Sequence, residues 1–431
     1  MRVGFYECDI TPPLGGFMWG HYKNVCAANV TDRLFAKAVV VEAGGEYAAI
    51  VVVDSCSLTP GIQKLVAKRV AEFTPIPEDR VCIASNHSHS GAPISSDPSC
   101  GGVRDEAYYD VFLRLCADAV TLAYRRLEEA ETTFALSQVD SISFNRNFIL
   151  KDGRYITHGR GRTDIAEPLD GIDPDVPVLF FTCGGRPIGA IVSFACHQCC
   201  LKDYAASGFS GDYSSYLSKH LKEKYGQDFV SLFLLAPCGD INHVNPDVSV
   251  EIPDDHYRHM GKVLADAVIA SLEKGEKVEG GVKMLMDTVT IARRPADQKT
   301  VEGLLKKLVR SDKLSLMKLR NLAHYQATNG GITEDTLPVQ AIVIGDVLVS
   351  VLPGEIYNAF GKYIKQNSPY KRNIVVENAN DYCGYIPTPK AFANEKEELY
   401  ETSLCGHSRL VPEAGAMLCN KVLSLAKKLL K

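Results

Sequence analysis

Two patterns of apolar residues alternate along this chain of 431 residues. Short apolar runs between glycine, proline and polar residues are typical of buried strands, and apolar residues at three- and four-residue spacing predict amphipathic helices. The runs that predict strands are residues 33–42, 47–54, 81–84, 176–182, 187–195, 229–235, 281–292, 337–352 and 373–377. The helical spacing covers residues 61–73, 105–130, 212–225, 254–272, 301–327, a stretch starting near 356, and 414–430.

This mixed order of strands and helices predicts the α/β class. We expect one large domain over residues 1–431, a mixed sheet with helices packed on it and the functional site on loops at strand ends. No internal repeat is evident in the sequence. Periodicity fails over residues 139–175, where glycine, aspartate and arginine accumulate, and a loop of that length is typical of a functional lid or a mobile segment.

Composition narrows the class of protein. The hydrophobic content of 46% and charged content of 23% are ordinary for a globular chain, and the formal net charge of -5 gives no basic stripe for nucleic acid. No apolar run is long enough to span a bilayer, so we expect no stable membrane insertion. The first residues lack the apolar core of a signal peptide, which favours a cytoplasmic location.

Fourteen cysteines are present, many of them within apolar segments. That placement favours reduced, buried thiols over a disulfide framework. The exception is Cys196-His197-Gln198-Cys199-Cys200, which is dense enough to suggest either a cysteine-rich zinc site or simple packing of small apolar groups.

Groups that can bind a metal or move a proton follow four of the predicted strands. They are His87 with His89, His197, Asp240 and Glu355. In an extended chain, histidines at i and i+2 point to the same side, so one could bind a metal while the other faces a substrate. Two imidazoles, a carboxylate and an oxygen ligand make an ordinary catalytic zinc site with one open position. The alternative for each is structural: hydrogen-bonded loop histidines, a turn aspartate, or a glutamate at a helix N-terminus.

Several blocks together resemble the catalytic amino-terminal domain of the neutral, non-lysosomal ceramidases. They follow that family's order over nearly the whole chain. These blocks are Asp9-Ile10-Thr11-Pro12, Arg33-Leu34-Phe35-Ala36-Lys37-Ala38, Asn86-His87-Ser88-His89-Ser90-Gly91, Phe194-Ala195-Cys196-His197, Cys238-Gly239-Asp240, Pro353-Gly354-Glu355 and Tyr382-Cys383-Gly384-Tyr385.

The resemblance implies a zinc-dependent amidohydrolase that cleaves an N-acyl bond. The residues that match the family's zinc ligands are His87, His197, Glu355 and Tyr385, with Tyr382 as a rival for the tyrosine. By the same resemblance His89 and Arg146 contact the substrate and hold its developing negative charge, and Asp240 is the general base. Arg154, Arg160 and Arg162 compete with Arg146 for that role.

Two departures from the family pattern change the expected substrate. Asn242 stands where the ceramidases have a serine. The asparagine amide can donate a hydrogen bond to an oxyanion but cannot be a nucleophile. Metal-activated water must therefore attack the acyl carbonyl. The carboxyl-terminal β-sandwich of the full-length family is also expected to be absent. We therefore expect a deacylase for a small soluble substrate with an acyl bond, such as an N-acylated amine or sugar, or an ester.

Three alternatives stay open at this point. One is a true ceramidase acting on N-acylsphingosine, which would need an apolar trough beside the site. Another is a metal-stabilised binding protein without catalysis, and the last is a thiol hydrolase that uses Cys199 or Cys200. His243, next to the altered Asn242, is a candidate for a further metal or substrate contact.

Overall fold

The structure is a computed structural model that describes residues 1–21, 25–95, 104–201, 208–307, 313–394 and 399–430. Three mixed sheets form its centre, and all three have the same connectivity. In each sheet, the first strand in the sequence pairs antiparallel with the first strand of a hairpin, and a helix follows the hairpin. The next strand then pairs parallel with the hairpin's second strand and is followed by a further helix. The topology thus repeats three times although the sequence does not, because different apolar residues satisfy the same alternation.

The first sheet contains, in spatial order, Val81–Ser85, Glu46–Val53, Phe35–Ala43, Arg2–Asp9 and Glu128–Glu129. The helices Ile62–Phe73 and Glu106–Arg125 cover its outer face. Asp105 caps the second helix, since its carboxylate accepts hydrogen bonds from the backbone N–H groups of Ala107 and Tyr108.

The second sheet contains, in spatial order, Val230–Leu235, Arg186–Phe194, Asp175–Cys183, Glu131–Gln138 and Glu276–Lys277. Its outer face is covered by the helices Asp212–Tyr225 and His256–Leu272.

The third sheet contains, in spatial order, Val282–Ala292, Glu334–Ile344, Val347–Val351 and Arg372–Val376. The helices Asn358–Asn367 and Ala414–Leu429 pack on it. The helices Gln298–Lys307 and Lys313–Thr328 lie between its first two strands in the sequence.

Residues of all three sheets meet in one shared core, and each sheet has a second core beneath its helices. The strand Phe35–Ala43 shows why its sequence reads as continuously apolar. Val39 and Val41 face the shared core, whereas Ala38 and Val40 face the helices, so both faces of the strand are buried.

Smaller elements build the rim around the sheets. A three-stranded sheet contains Tyr155–Thr157, Asn147–Leu150 and Ile165–Pro168. Paired two-residue strands join Phe17–Met18 to Val25–Cys26, Phe144–Asn145 to Ile241–Asn242, and Glu355–Ile356 to Tyr385–Ile386. The short helix Pro389–Phe392 and the 3-10 helices Glu78–Arg80 and Tyr400–Thr402 complete the described elements.

The predicted α/β class is confirmed, and most predicted elements agree with the structure to within a few residues. Three differ. The helix expected over 105–130 ends at Arg125, and Glu131–Gln138 is a strand, because its alternate residues pack into the second sheet. The segment 139–175 is not one long loop, because it contains four short strands, at residues 144–145, 147–150, 155–157 and 165–168. The helix expected over 301–327 corresponds to two helices, with residues 308–312 outside the described part.

The parallel strand pairs in the three sheets place the polar segments that follow them near one another. These segments carry the side chains discussed below. Among the described residues, no helix has the length and apolarity needed to cross a bilayer.

Candidate metal centre and active site

His87 lies on a tight turn after the strand Val81–Ser85. Its φ is 66°, a left-handed conformation that is rare for a residue with a side chain, and its backbone N–H donates to Ser85 Oγ at 3.0 Å. The ring Nδ1–H donates to the carbonyl oxygen of Cys56 at 2.5 Å. The turn corrects the expectation of an extended His-x-His segment. Because Nδ1 is occupied by the hydrogen bond to Cys56, Nε2 is the ring atom available to bind a ligand.

His197 follows the strand Arg186–Phe194 and is held in the same way. Its Nδ1–H donates to the carbonyl oxygen of Cys238 at 2.8 Å, which fixes the tautomer with an unprotonated Nε2. The side chain is fully buried, and within the described residues its Nε2 has no hydrogen-bond partner.

Glu355 completes the group after the strand Val347–Val351. Gly354 makes the turn possible, because its φ is 80° and a Cβ there would lie 2.5 Å from the carbonyl oxygen of Gly384. The Oε2 atom of Glu355 lies 3.5 Å from His87 Nε2 and 3.3 Å from His197 Nε2. Its Oε1 atom accepts a hydrogen bond from the Tyr382 hydroxyl at 2.7 Å.

Burial and nearby charges set the protonation states of these three side chains. Burial lowers the pKa of His87, and burial together with Arg146 and His87 lowers the pKa of His197 to about 3. Burial alone would raise the pKa of Glu355, but the two histidines outweigh it and lower that pKa. The group is therefore two neutral imidazoles and one carboxylate, which is the protonation state that metal binding requires.

The donor set of these residues fits a divalent metal. The ligand atoms of His87, His197 and Glu355 all lie within 4.8 Å of one another. Oε2 of Glu355 is buried and, among the described residues, has no hydrogen-bond partner, just as Nε2 of His197 has none. Buried acceptors left this way cost free energy unless a cation or a donor sits between them. Two histidines and a carboxylate are an ordinary catalytic zinc donor set.

Beside this group lies a pocket of about 540 Å³, including space open to solvent. His87, His89, Arg146, Glu355 and Tyr385 line it, so most of the predicted site residues come together. Its walls also include six residues outside the predicted set: Trp19, His21, Cys56, Asn321, Tyr400 and His407.

Tyr382 and Tyr385, the two candidates for the tyrosine ligand, both line the pocket. Tyr382 is the one whose hydroxyl bonds Glu355. The ring of Tyr385 stacks on His197 at 6.5 Å between centroids, and burial and Glu355 raise the pKa of its hydroxyl well above the usual value. Tyr385 as a metal ligand stays a prediction.

Arg146 brings a positive charge to the pocket wall. Its Nε–H donates to Glu401 Oε1 at 2.6 Å and its Nη2 donates to the carbonyl oxygen of Gly239 at 2.9 Å. Both side chains of the ion pair are buried. Of the rival arginines, Arg154 and Arg162 pair with neighbouring aspartates and Arg160 bonds backbone carbonyls.

His89 lies beside His87, His197 and Glu355, the three side chains called the metal group from here on. Its Nε2 lies 3.4 Å from His87 Nε2, and burial lowers its pKa well below the usual value, so the ring is neutral. The backbone of His89 is fixed on both sides, because its N–H donates to Gln198 O and its carbonyl oxygen bonds His21 Nε2 at 2.8 Å.

Asp240 and Asn242 do not line this pocket in the described structure. The carboxylate of Asp240 is fully buried and accepts from Asn145 Nδ2 at 2.8 Å and from the backbone N–H of Asn358 at 2.8 Å. Burial raises its pKa to about 6. Asn242 Oδ1 accepts from the Val244 N–H at 3.0 Å. These contacts are structural, and the catalytic roles expected for the two residues stay predictions.

The cysteine-rich segment forms no second metal centre in the described part of the chain. The groups of potential ligands found there contain none of Cys196, Cys199 and Cys200, and none of the thirteen cysteines described is in a disulfide. Burial raises the pKa of Cys199 to about 12, which opposes a thiolate nucleophile. His243 lies 3.8 Å from the Cys199 sulfur, measured from Nδ1, and away from the pocket lining.

Comparison with known proteins decides the family. A sequence profile described as neutral/alkaline non-lysosomal ceramidase, N-terminal, matches residues 1–254. The chain belongs to this ceramidase family. Membership makes it a hydrolase and confirms the resemblance seen in the sequence.

Solved structures of ceramidases have the same fold. The crystal structure of neutral ceramidase from Pseudomonas aeruginosa is 20% identical with a TM-score of 0.74, over 99% of this chain and 74% of that one. A structure described as ceramidase complexed with C2 is 20% identical with a TM-score of 0.76, over 99% of this chain and 75% of that one. A search of curated proteins finds no match.

Proposed function

We propose that this ceramidase-family hydrolase uses a zinc ion to cleave the N-acyl bond of an amino alcohol of the ceramide type. The observation that carries the proposal is the buried group of His87, His197 and Glu355, whose acceptor atoms converge beside a pocket. Family membership favours the ceramide-type substrate over the small soluble substrate that the sequence alone led us to expect.

In this proposal His87, His197 and Glu355 hold the zinc ion, with Tyr385 as a fourth ligand. When bound, zinc supplies the Lewis acidity that polarises an acyl carbonyl and makes water nucleophilic at neutral pH. The chain fixes the ligands beforehand, because Cys56 O and Cys238 O hold the two imidazoles and the Tyr382 hydroxyl holds Glu355.

Arg146 and His89 stabilise the negative charge that develops on the acyl oxygen. Both line the pocket, and Glu401 keeps the guanidinium in place from behind. Positioned donors of this kind commonly account for a large part of the rate enhancement. Asp240 would then act mainly through position, since its backbone carbonyl accepts from the Arg146 N–H at 2.9 Å and its carboxylate holds the adjoining segments.

A groove next to the pocket favours a substrate with an alkyl chain. It measures about 1030 Å³, open space included, and shares Trp19, Tyr382 and His407 with the pocket. Leu58 and Leu65 lie on its walls, and Leu65 is 51% exposed. An exposed leucine in a groove beside the site is what an apolar tail would cover.

A small soluble N-acylated amine or sugar is the second candidate. The observation in its favour is that several charged and polar side chains line the pocket, among them His89, Arg146 and Asn321. The two candidates differ in one respect that can be measured, which is whether catalysis depends on the length of the alkyl chains.

The test is hydrolysis of a matched panel: N-acylsphingosine with short and long acyl chains, an N-acylated sugar, and a simple N-acyl alkylamine. Release of free amine would be measured for the wild type, for Glu355→Gln, and for Glu413→Gln as an exposed control. We expect N-acylsphingosine to have the highest kcat/KM, and activity to be lost only in Glu355→Gln. Preference for the sugar would favour the second candidate, and no turnover of any amide would overturn the hydrolase proposal.

A further inference from the structure

Two residues that line the pocket each carry a buried polar atom with no hydrogen-bond partner among the described residues. The side chain of Trp19 is 6% exposed, and its indole Nε1–H makes no hydrogen bond. Asn321 is 5% exposed, and its Oδ1 atom accepts none. Both residues line the pocket beside the metal group. Buried donors and acceptors are nearly always satisfied in folded proteins, so each of these exceptions needs a physical explanation.

The two groups are complementary in chemistry. An indole N–H can only donate, and an amide oxygen can only accept. A hydroxyl both donates and accepts, so one hydroxyl group, or two on one ligand, can satisfy both. A carboxylate or an ether offers no proton to Asn321 Oδ1, and an ammonium offers no lone pair to Trp19.

Trp19 and Asn321 lie on segments of the chain that supply none of the proposed ligands. Trp19 follows the short strand Phe17–Met18 and packs edge-on against Tyr382, with ring centroids 5.2 Å apart. Tyr382 in turn donates to Glu355, so Trp19 is one residue removed from the proposed ligand. Asn321 lies on the helix Lys313–Thr328, which supplies none of the proposed ligands.

We propose that Trp19 and Asn321 form a hydroxyl-binding subsite that selects N-acyl amines with a hydroxyl on the amine portion. This inference rests on the proposed amide hydrolysis. It adds the residues that recognise the hydroxyl on the amine portion of the substrate. Trp19 Nε1–H donates to the hydroxyl oxygen, and the hydroxyl proton is donated to Asn321 Oδ1. A substrate without the hydroxyl enters the pocket but leaves both groups unsatisfied, so it is rejected.

The decisive comparison uses two substrates with the same acyl group, one on an amino alcohol and one on the matching deoxy amine. We expect the wild type to favour the hydroxylated amide by roughly 10-fold or more in kcat/KM, as buried unsatisfied partners penalise the deoxy analogue. Trp19→Phe and Asn321→Leu should each reduce that ratio severalfold, mainly by slowing the hydroxylated substrate. Gln326→Leu makes the same amide-to-aliphatic change at an exposed position on the helix and should leave the ratio unchanged.

Two further measurements separate loss of the subsite from damage to the fold. Asn321→Leu should unfold in urea at the same or higher denaturant, because Oδ1 makes no hydrogen bond to lose. Trp19 is the single tryptophan of the chain, so its fluorescence reports on the pocket without turnover. Its emission should shift on adding the amino alcohol product and shift less with the deoxy amine.

The outcomes are distinguishable. Equal kcat/KM for the two amides in the wild type would overturn the subsite and leave the hydrolase intact. So would an unchanged ratio in both variants together with wild-type fluorescence that responds equally to the two amines. Failure to hydrolyse either amide would overturn the proposed function. In that case selective binding of the hydroxylated amine, seen by fluorescence, would still support the subsite, and equal binding of both amines would reject it.

Discussion

At the scale of single residues, Glu401 is the least expected part of the site. No motif marks it, yet its carboxylate is fully buried and receives hydrogen bonds from Arg146 Nε at 2.6 Å and from Asn147 Nδ2 at 3.3 Å. Glu401 outweighs the effect of burial on Arg146 and raises the pKa of the guanidinium. The position and charge of Arg146 therefore depend on a residue far away in the sequence.

We predict that Glu401→Gln lowers stability by about 3 kcal/mol, because it leaves a buried guanidinium without its counter-charge. It should also lower kcat roughly 10-fold or more through a loosened Arg146, while zinc content stays unchanged. Urea unfolding, amide hydrolysis and metal analysis would be compared with Glu413→Gln, an exposed change of the same kind. A stable, fully active Glu401→Gln protein would show that Arg146 needs no such partner.

At the scale of elements, Asp54 ties the His87 turn to the first sheet. It follows the strand Glu46–Val53, and its carboxylate accepts from Asn86 Nδ2 at 2.6 Å and from the Phe35 N–H at 2.7 Å. Burial raises the pKa of Asp54 to about 6, above its ordinary value of 3.8, although Lys37 opposes the shift.

The raised pKa fixes the sign of a pH effect. Between about pH 4 and pH 6 the folded protein holds a proton on Asp54 that the unfolded chain releases, so this group stabilises the fold most at low pH. That contribution is lost as the pH rises through 6 and amounts to about 3 kcal/mol for a shift of this size.

Asp54→Asn removes this dependence on pH. Relative to the wild type it should be more destabilised at pH 4.5 than at pH 7, when both proteins are unfolded in urea with a chelator present to remove metal linkage. A stability difference that is the same at both pH values would show that Asp54 keeps an ordinary pKa in the fold.

The elements also show what the sequence could and could not predict. Strands buried on both faces, such as Phe35–Ala43, were predicted because their apolar residues are continuous. The strand Glu131–Gln138 was missed because only some of its residues are buried, and the pattern joins smoothly onto the preceding helix. His87 and His197 were predicted from strand ends, but the left-handed turn at His87 depends on tertiary contacts that no local pattern encodes.

Trp19, Asn321, His407 and Glu401 could not have been predicted for the same reason. Each enters the site from a segment distant in sequence from the metal group's histidines, so only the packing of the segments around the three sheets brings them there.

At the scale of the whole molecule, the threefold repeat of one topology explains why the site lies where it does. The three sheets share one core, and one proposed ligand follows a strand of each sheet. His87 follows the first sheet's edge strand Val81–Ser85, His197 follows the second sheet's hairpin, and Glu355 follows the third sheet's hairpin. A cation held by all three would cross-link the sheets, so its binding energy would also stabilise the fold.

The central claim is that His87, His197 and Glu355 hold a zinc ion required for amide hydrolysis. The most direct test measures zinc content and release of free amine from N-acylsphingosine in the wild type and in His197→Ala. The control is His220→Ala, a partly exposed histidine that pairs with Glu223. We expect about one zinc ion per chain in the wild type and the control, with both zinc and hydrolysis lost in His197→Ala. Zinc retained in a folded His197→Ala protein, or hydrolysis that persists without zinc, would contradict the account.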